Sequence, residues 1–382
     1  MQITKFPKGQ KTNKASYRCV LLIAAALITI SGCAAQGAKR VPADRFDYNA
    51  AIAQSTREQM LLNIVRSRYL EVPVFLTVSS VLTQYEYDRN VGLGAILEFG
   101  SGTTDRATGD ANLGFSERPT ITYLPVEGQE FSAHLLSDVP SDLIFAAAQA
   151  GWSVDVFMRI GIQRLGAVEN MSFGIPAAVY SDSKKSHESD FKKIKRFERM
   201  MELIYILSDR EIIEVQQIEE NHKNERYLMI AERIPEDLRP LVAEMRQLIG
   251  LTDGNRFRIT DRVTNLKDDE ISIQTRSVMA MMEFMARGVE VPPEHLEDGW
   301  VVDYGLQSSE GEAARKLIPF RMRSSKDRPE NAFAAVRFRD HWYYIDEADI
   351  TSKRALGLII VLFRLQAPTP SGAAPILTLP TG

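Results

Sequence analysis

Two sets of residues in this chain have types and spacing that could do chemistry. The first is a run of cations among aromatic rings. Arg315, Lys316, Arg321, Arg323, Lys326, Arg328, Arg337 and Arg339 lie among Phe320, Phe333, Phe338, Trp342, Tyr343 and Tyr344. Guanidinium groups hold carboxylates and phosphates through paired N–H donors. Arg321, Arg323, Ser324, Ser325, Lys326 and Arg328 are therefore the candidate anion-binding residues, with the Arg323-Ser324-Ser325-Lys326 stretch as the cradle. The second is Cys33, the thiol that closes Ile30-Ser31-Gly32-Cys33.

Other reactive side chains form no recognisable constellation. Asp346, Glu347 and Asp349 precede an apolar run, where negative charge stabilises a helix N-terminus and Asp349 or Thr351 can cap it. Capping accounts for these acids without a catalytic carboxylate pair. Asp268-Asp269-Glu270 reads as a turn between strands, and Glu117-Arg118-Pro119 as a local ion pair. The Gly-rich stretch 101–110 lacks the Lys and the following helix of a phosphate loop. The histidines, at 134, 187, 222, 295 and 341, have no ligand spacing. The expectation is a protein without catalytic residues, metal or cofactor.

The surroundings of Cys33 turn it into an address. Residues 1–18 carry Lys5, Lys8, Lys11, Lys14 and Arg18 and no acid, and residues 19–30 are an apolar run. That run is shorter than the roughly 20 residues a membrane-spanning helix needs, so it reads as a secretory signal. The order aliphatic, small, Gly, Cys resembles the lipobox of bacterial lipoproteins. The resemblance implies removal of residues 1–32, a diacylglyceryl thioether on Cys33 and an acylated amine, with palmitate as the class of chain. Each buried methylene contributes about 0.8 kcal/mol, so two or three chains anchor firmly. Ala34, where an Asp would imply inner-membrane retention, favours an outer-membrane lipid anchor facing the periplasm.

Export changes the reading of the cationic run. Residues 1–32 hold five basic and no acidic side chains, so the remainder carries 41 basic and 50 acidic, a net of −9. That balance disfavours polyanions in general, and no nucleic acid is expected as a partner in the periplasm. Anionic glycans, lipid head groups or an acidic protein fit better. The only other cysteine, Cys19, lies in the signal, so no disulfide is expected and stability must come from a packed core.

The elements that position these residues are read from periodicity. Residues 33–48 read as a tether, followed by a helix over 49–69 that stops before Pro73. Residues 74–81 read as a strand. Period-two alternation then runs from Val81 through Phe99 and resumes from Ala111 to Tyr123, predicting one long amphipathic β-hairpin over about 81–125. Residues 129–166 read as helical, with Ser141 as an N-cap, and 167–190 as a loop. Beyond it the expected strands are 211–218, 226–232, 256–260, 271–275, 317–323 and 332–345. Helices are expected over 236–249, 277–287 and 350–366, the last as the central core helix. The fold class expected is α+β, with helices packed on antiparallel hairpins in recurrent strand-strand-helix units.

Several stretches, among them TREQMLLNIVRSRYLEVPVFLTVSSV (56–81), ERPTITYLPVEGQEF (117–131), TRSVMAMMEFMARGVEVP (275–292) and 321–367, resemble a group of Gram-negative predicted lipoproteins of unknown function. The resemblance implies one shared architecture and a lipid anchor, and it transfers no activity. The expected organisation is a signal peptide (1–32), a tether (33–48), a helix and long-hairpin region (49–180), an α+β region (181–366) and a Pro-rich tail (367–382). The expected role is a non-enzymatic structural or assembly component of a cell-envelope complex, bound to the membrane through lipid on Cys33 and to envelope proteins or to itself. Two alternatives stand beside it. One is an oligomeric outer-membrane pore element using the 81–125 hairpin, and the other an envelope glycan-binding protein or hydrolase.

Overall fold

The computed structural model of the protein describes residues 36–96, 106–143, 145, 154–170, 183–220, 223–304, 315 and 318–366. Cys33, Lys316 and the Pro-rich tail lie outside the described residues. The chain divides into two units, Met1–Ser55 and Thr56–Gly382. In the first, residues 36–55 are helical, the opening of helix α1 (Gln36–Arg68). The expected tether is therefore helical from Gln36. Its Ala, Lys and Arg residues favour a helix, and Pro42 forfeits one backbone bond without ending it.

In the second unit α1 buries Met60, Leu61, Ile64 and Val65. It ends on its own backbone chemistry, three residues ahead of the last one Pro73 would permit. Leu70 takes a left-handed φ of 60°, Leu70 N–H donates to the Ser67 carbonyl at 3.1 Å, and Glu71 N–H to the Arg66 carbonyl at 2.9 Å. This is the paired bonding that closes a helix C-terminus.

The chain then enters β1 (Leu76–Ile96), which pairs antiparallel with β2 (Arg106–Pro125), from Leu76↔Pro125 to Ile96↔Arg106. Residues 97–105 and the side chains of 82–119 lie outside the described residues. The alternating apolar face expected over about 81–125, and the pore reading drawn from it, therefore fall there too. The root of this ribbon is well defined. Phe75 is buried and stacks on Phe363 at 4.3 Å, with Phe131 edge-on at 6.0 Å. Two amides one helical turn apart on α1 treat the incoming chain as a neighbouring strand. Asn63 Nδ2 donates to the Val74 carbonyl at 2.8 Å while its Oδ1 accepts from Val74 N–H at 3.0 Å. Gln59 does the same to Leu76, at 2.9 and 2.6 Å.

Helices α2 (Gln129–Leu136) and α3 (Val154–Gly161) follow. Residues 162–165, expected at the end of the helical stretch 129–166, instead form β3 (Ile162–Leu165), because Ile162 and Leu165 find pairing partners in Thr275 and Ile273. Ser141 donates its hydroxyl to Asp261 at 3.1 Å. Strand β4 (Val168–Glu169) precedes α4 (Ser183–Asp209), so the polar run expected as loop is helical from Ser183.

The remaining elements are β5 (Ile213–Glu220), β6 (Lys223–Ile230), α5 (Arg239–Ile249), β7 (Arg256–Thr260), β8 (Glu270–Thr275), α6 (Val278–Ala286), α7 (Pro293–Glu297), β9 (Arg323–Ser325), β10 (Ala332–Phe338), β11 (His341–Asp346) and α8 (Ile350–Gln366). The fold is α+β, and the strand-strand-helix order recurs as β5-β6-α5, β7-β8-α6 and β10-β11-α8. Six strands form one sheet in the order β4-β3-β8-β7-β6-β5, and three form another in the order β10-β11-β9.

The larger sheet is not purely antiparallel, as the hairpin pattern suggested. β7 and β8 run parallel, with Arg258↔Glu270 in register. Glu270 explains the turn-back. Its side chain is 1% exposed and is held by Arg258 and by Arg262 at 2.5 Å. Its second oxygen accepts the Lys267 N–H at 3.1 Å. The loop is thus folded onto the first residue of the next strand. These bonds, led by that from Arg258, hold the Glu270 carboxyl below its usual range.

Burial in the C-terminal half follows the expected pattern. α6 buries Met281, Met282 and Met285 and is capped by the Ser277 hydroxyl, which accepts from Ala280 N–H at 3.1 Å. Arg276 is fully buried, yet its Nη1 donates to the Arg159 and Ile160 carbonyls at 3.1 and 2.8 Å, closing the C-terminus of α3. α8 buries Leu356, Leu358, Ile359, Leu362 and Phe363 and is the core helix expected. Among the described residues no helix is long and apolar enough to cross a membrane.

The two amides at the ribbon root differ in burial, and that difference is measurable. Asn63→Ala leaves a part-buried N–H and C=O unpaired and should cost about 2 kcal/mol, whereas Gln59→Ala, whose bonds are exposed, should cost under about 1 kcal/mol, both read from urea unfolding.

Candidate functional site

The candidate anion-binding residues are all placed, apart from the neighbouring Lys316. β9 pairs with β11 through Ser325↔Trp342, Ser324↔Tyr343 and Arg323↔Tyr344. Arg321 is bound to Glu290 at 2.6 and 2.8 Å, and Arg315 approaches the same carboxylate at 3.6 Å. Arg323 pairs with Asp346 at 3.3 Å, and Lys326 lies 3.8 Å from Glu294. Arg328 stacks over Trp342 at 5.3 Å, and the Ser325 hydroxyl donates to the Asp327 carbonyl at 2.6 Å. An incoming anion would have to compete with Glu290, Asp346 and Glu294. The cationic run is drawn together, but around carboxylates of its own chain.

The acids before α8 are engaged as caps. Asp349 accepts from Ser352 N–H at 2.9 Å and from the Ser352 hydroxyl at 2.7 Å, and that hydroxyl accepts the Arg321 N–H at 2.8 Å. Asp346 accepts the Ala348 N–H, and Glu347 pairs with Lys353. Among the described residues no group of three or more metal-ligating side chains converges.

The densest buried polar cluster involves residues that their sequence positions do not connect. Tyr69 at the end of α1, His295 in α7 and Tyr343 in β11 meet through their polar atoms. The Tyr69 hydroxyl lies 2.6 Å from His295 Nδ1 and 2.6 Å from the Tyr343 hydroxyl. Exposure is 5% for Tyr69, 3% for His295 and 0% for Tyr343, so all three side chains are buried. His295 stacks on Trp300 at 4.6 Å and meets His341 edge-on at 5.1 Å. His341 in turn faces Glu294 at 3.4 Å.

Backbone strain sets the rim of this cluster. Arg339 and Asp340 form a two-residue hairpin turn with φ of 46° and 63°, a conformation usually given to Asn-Gly or Asp-Gly. The residues expected as one strand over 332–345 therefore divide into β10 and β11. The turn brings the Arg339 guanidinium over Tyr69 at 4.9 Å and Trp300 at 5.3 Å. Arg339 also bonds Glu71 at 2.9 Å, the residue just past the closing turn of α1. One step back along α1, Arg68 is buried and stacks on Tyr304 at 4.6 Å.

Burial fixes the protonation pattern. It raises both tyrosines above their usual pKa, so both remain donors. It lowers that of His295, and the nearby His341 lowers it further. The Tyr69 oxygen is within hydrogen-bond distance of both His295 Nδ1 and the Tyr343 hydroxyl. The cluster joins three elements that are distant in sequence. Its chemistry is that of a clasp between α1, α7 and the β10–β11 hairpin.

No family model, curated protein or solved structure matches this chain.

The clasp predicts a pH dependence whose sign follows from His295. Its pKa is lower folded than unfolded, so the unfolded chain takes up the proton first. The stability His295 contributes is present above about pH 6.5, the unfolded value, and is lost as pH falls through the folded one. Urea midpoints should drop between pH 7.5 and 5.5, and His295→Gln should flatten that drop.

Proposed function

We propose that the protein is a membrane-anchored periplasmic lipoprotein, a non-enzymatic structural or assembly component of a cell-envelope complex. In this reading lipid on Cys33 ties it to the outer membrane, facing the periplasm. The β1–β2 ribbon is the part that meets other envelope proteins or further copies of the chain.

The observation that carries this reading is the state of the ribbon root. β1 and β2 form a sheet of two strands that joins neither of the other described sheets. Around its root Leu76, Ile121, Tyr123 and Leu124 are exposed, with Val72 and Val74 beside them. Unpaired strand edges and clustered exposed apolar side chains are features of surfaces that meet a partner. Catalysis has less support. The acids before α8 cap and pair, the cations of 321–328 face acids or a ring, and the Tyr69–His295–Tyr343 cluster is closed.

Two experiments test the two halves of the reading separately. Cys33→Ser should move the protein from the membrane to the soluble fraction of an envelope preparation; retention in the membrane counts against the lipid anchor. A photo-crosslinker at position 123 should yield an adduct with an envelope protein or a second copy in living cells. Leu76→Asp, at an already exposed site, should reduce that adduct at least fivefold while the unfolding midpoint stays in place. An adduct that persists unchanged in Leu76→Asp counts against the ribbon as the contact surface.

A further inference from the structure

The six-stranded sheet has two unlike faces. Leu165, Ile213, Leu228, Ile259, Ile271 and Ile273 alternate onto one of them. Glu214, Tyr227, Arg256, Arg258 and Glu270 point to the other, where Arg256–Glu220 and Arg258–Glu270 pair. On the apolar face, Ile204 of α4 and Met245 and Ile249 of α5 roof a cavity of about 100 Å³. Met245, Ile249, Ile271 and Ile273 are buried at its depth, while Ser208 and Val215 at the edge strand and the end of α4 are exposed, so the space opens there.

The lining selects the chemistry of an occupant. It is almost wholly aliphatic, with Phe145 as the one aromatic ring among the lining residues. The polar lining residues are Ser208 and Glu214. Glu214 belongs to the opposite face of β5, where Gln216 bonds it. Nothing inside therefore orients a polar group or rewards a charge, and water would find no partners. An occupant must present hydrocarbon inward and keep its polar end at the mouth. A 150 Å³ aliphatic cavity accepts benzene, so this one takes about the last four or five carbons of a chain.

We propose that this cavity binds the end of an unbranched alkyl chain carried by an amphiphile. None of its lining residues belongs to the ribbon or to the Tyr69–His295–Tyr343 clasp, and the proposal does not depend on the envelope role.

The test uses the full chain in a bile-salt detergent, which carries no alkyl chain, titrated calorimetrically with straight-chain 1-alkanols. Affinity should rise about fourfold per methylene, the equivalent of about 0.8 kcal/mol, through the first four or five carbons and then flatten as the cavity fills. Ile204→Trp, which fills the mouth from a half-buried position, should weaken binding at least tenfold. Ile259→Phe fills it from the sheet side and serves if the first variant does not fold. Binding to phosphatidylcholine vesicles, measured on chains that also carry Cys33→Ser so that no lipid of their own holds them there, separates the sources. If the filled variants also lose vesicle binding, the chain is drawn from a bilayer; if they lose only alkanol binding, it comes from a soluble amphiphile. No saturable binding by the wild-type chain, equal binding by folded filled variants, or an affinity that climbs past ten carbons without a plateau overturns the proposal.

Discussion

The hydroxyl of Tyr69 can be buried only while both of its neighbours accept the arrangement. It needs hydrogen-bond partners in His295 and Tyr343, and these come from α7 and β11, more than two hundred residues away along the chain. A buried polar atom left without a partner costs about 1–3 kcal/mol, so moving any one of the three elements strands the others. The constraint reaches outward from there. The helix stop at Leu70 places Tyr69, the strained turn at Arg339 and Asp340 places Tyr343 and the guanidinium above the rings, and Glu71 ties one to the other. Two stretches of non-glycine residues at positive φ stand on either side of one hydrogen-bonded chain. Their strain is supportable because the surrounding bonds over-determine the geometry.

A different balance governs the larger sheet. Its polar face carries the exposed Arg256–Glu220 pair and the Arg258–Glu270 pair, whose carboxylate is buried. Glu270, paired with Arg258 at the first position of the parallel register, fastens the returning loop to β7. The apolar face supplies most of the cohesion, and there the packing is incomplete. The aliphatic cavity of about 100 Å³ lies on this face, where neighbouring side chains would ordinarily relax to close such a space. They cannot close it easily here, because the floor is held in register by five neighbouring strands and the roof by two helices.

What was legible in the sequence follows from which forces are local. Strands β7 and β8 and helices α6 and α8 stand within a residue or two of where periodicity places them, because alternation and apolar spacing are properties of a short window. Asp349 is also local, and its role as the cap of α8 was open to reading. The errors come from three sources. Propensity outweighed a proline in α1, where Pro42 sits inside the helix. Tertiary pairing turned residues 162–165 into a strand. The parallel pairing of β7 and β8 reversed a strand direction. Of the site, the cations of 321–328 were visible as a cluster, but their acids Glu290 and Glu294 lie in a segment that the sequence does not connect to them. The clasp was unreadable for the same reason. A lone histidine in a five-residue helix and two separated tyrosines carry no spacing signal. The one hint was a pair of non-glycine residues at a hairpin turn between two aromatic strands.

The ribbon and the clasp share one short stretch of chain, and this links them mechanically. A two-stranded sheet is at best marginally stable alone, so what holds the root matters more than what the strands do for each other. From Gln59 to Leu76 the chain is fastened at both ends. Gln59 and Asn63 bond the backbone on either side of Phe75, and Phe75 itself is wedged against Phe363 of the core helix. Between these points lie the α1 stop, Tyr69 and Glu71, each bound to the C-terminal hairpin or to α7. A force applied to the ribbon would therefore be resisted first by the Phe75 packing and next by the Tyr69 bonds. Neither can yield alone, because the five residues between them include a left-handed Leu70 and Pro73 and have little freedom to take up slack. The exposed apolar residues at the root sit on the part of the ribbon that these bonds fasten. A partner that lands there meets a surface whose ordering is already complete, and that lowers the entropy lost on association.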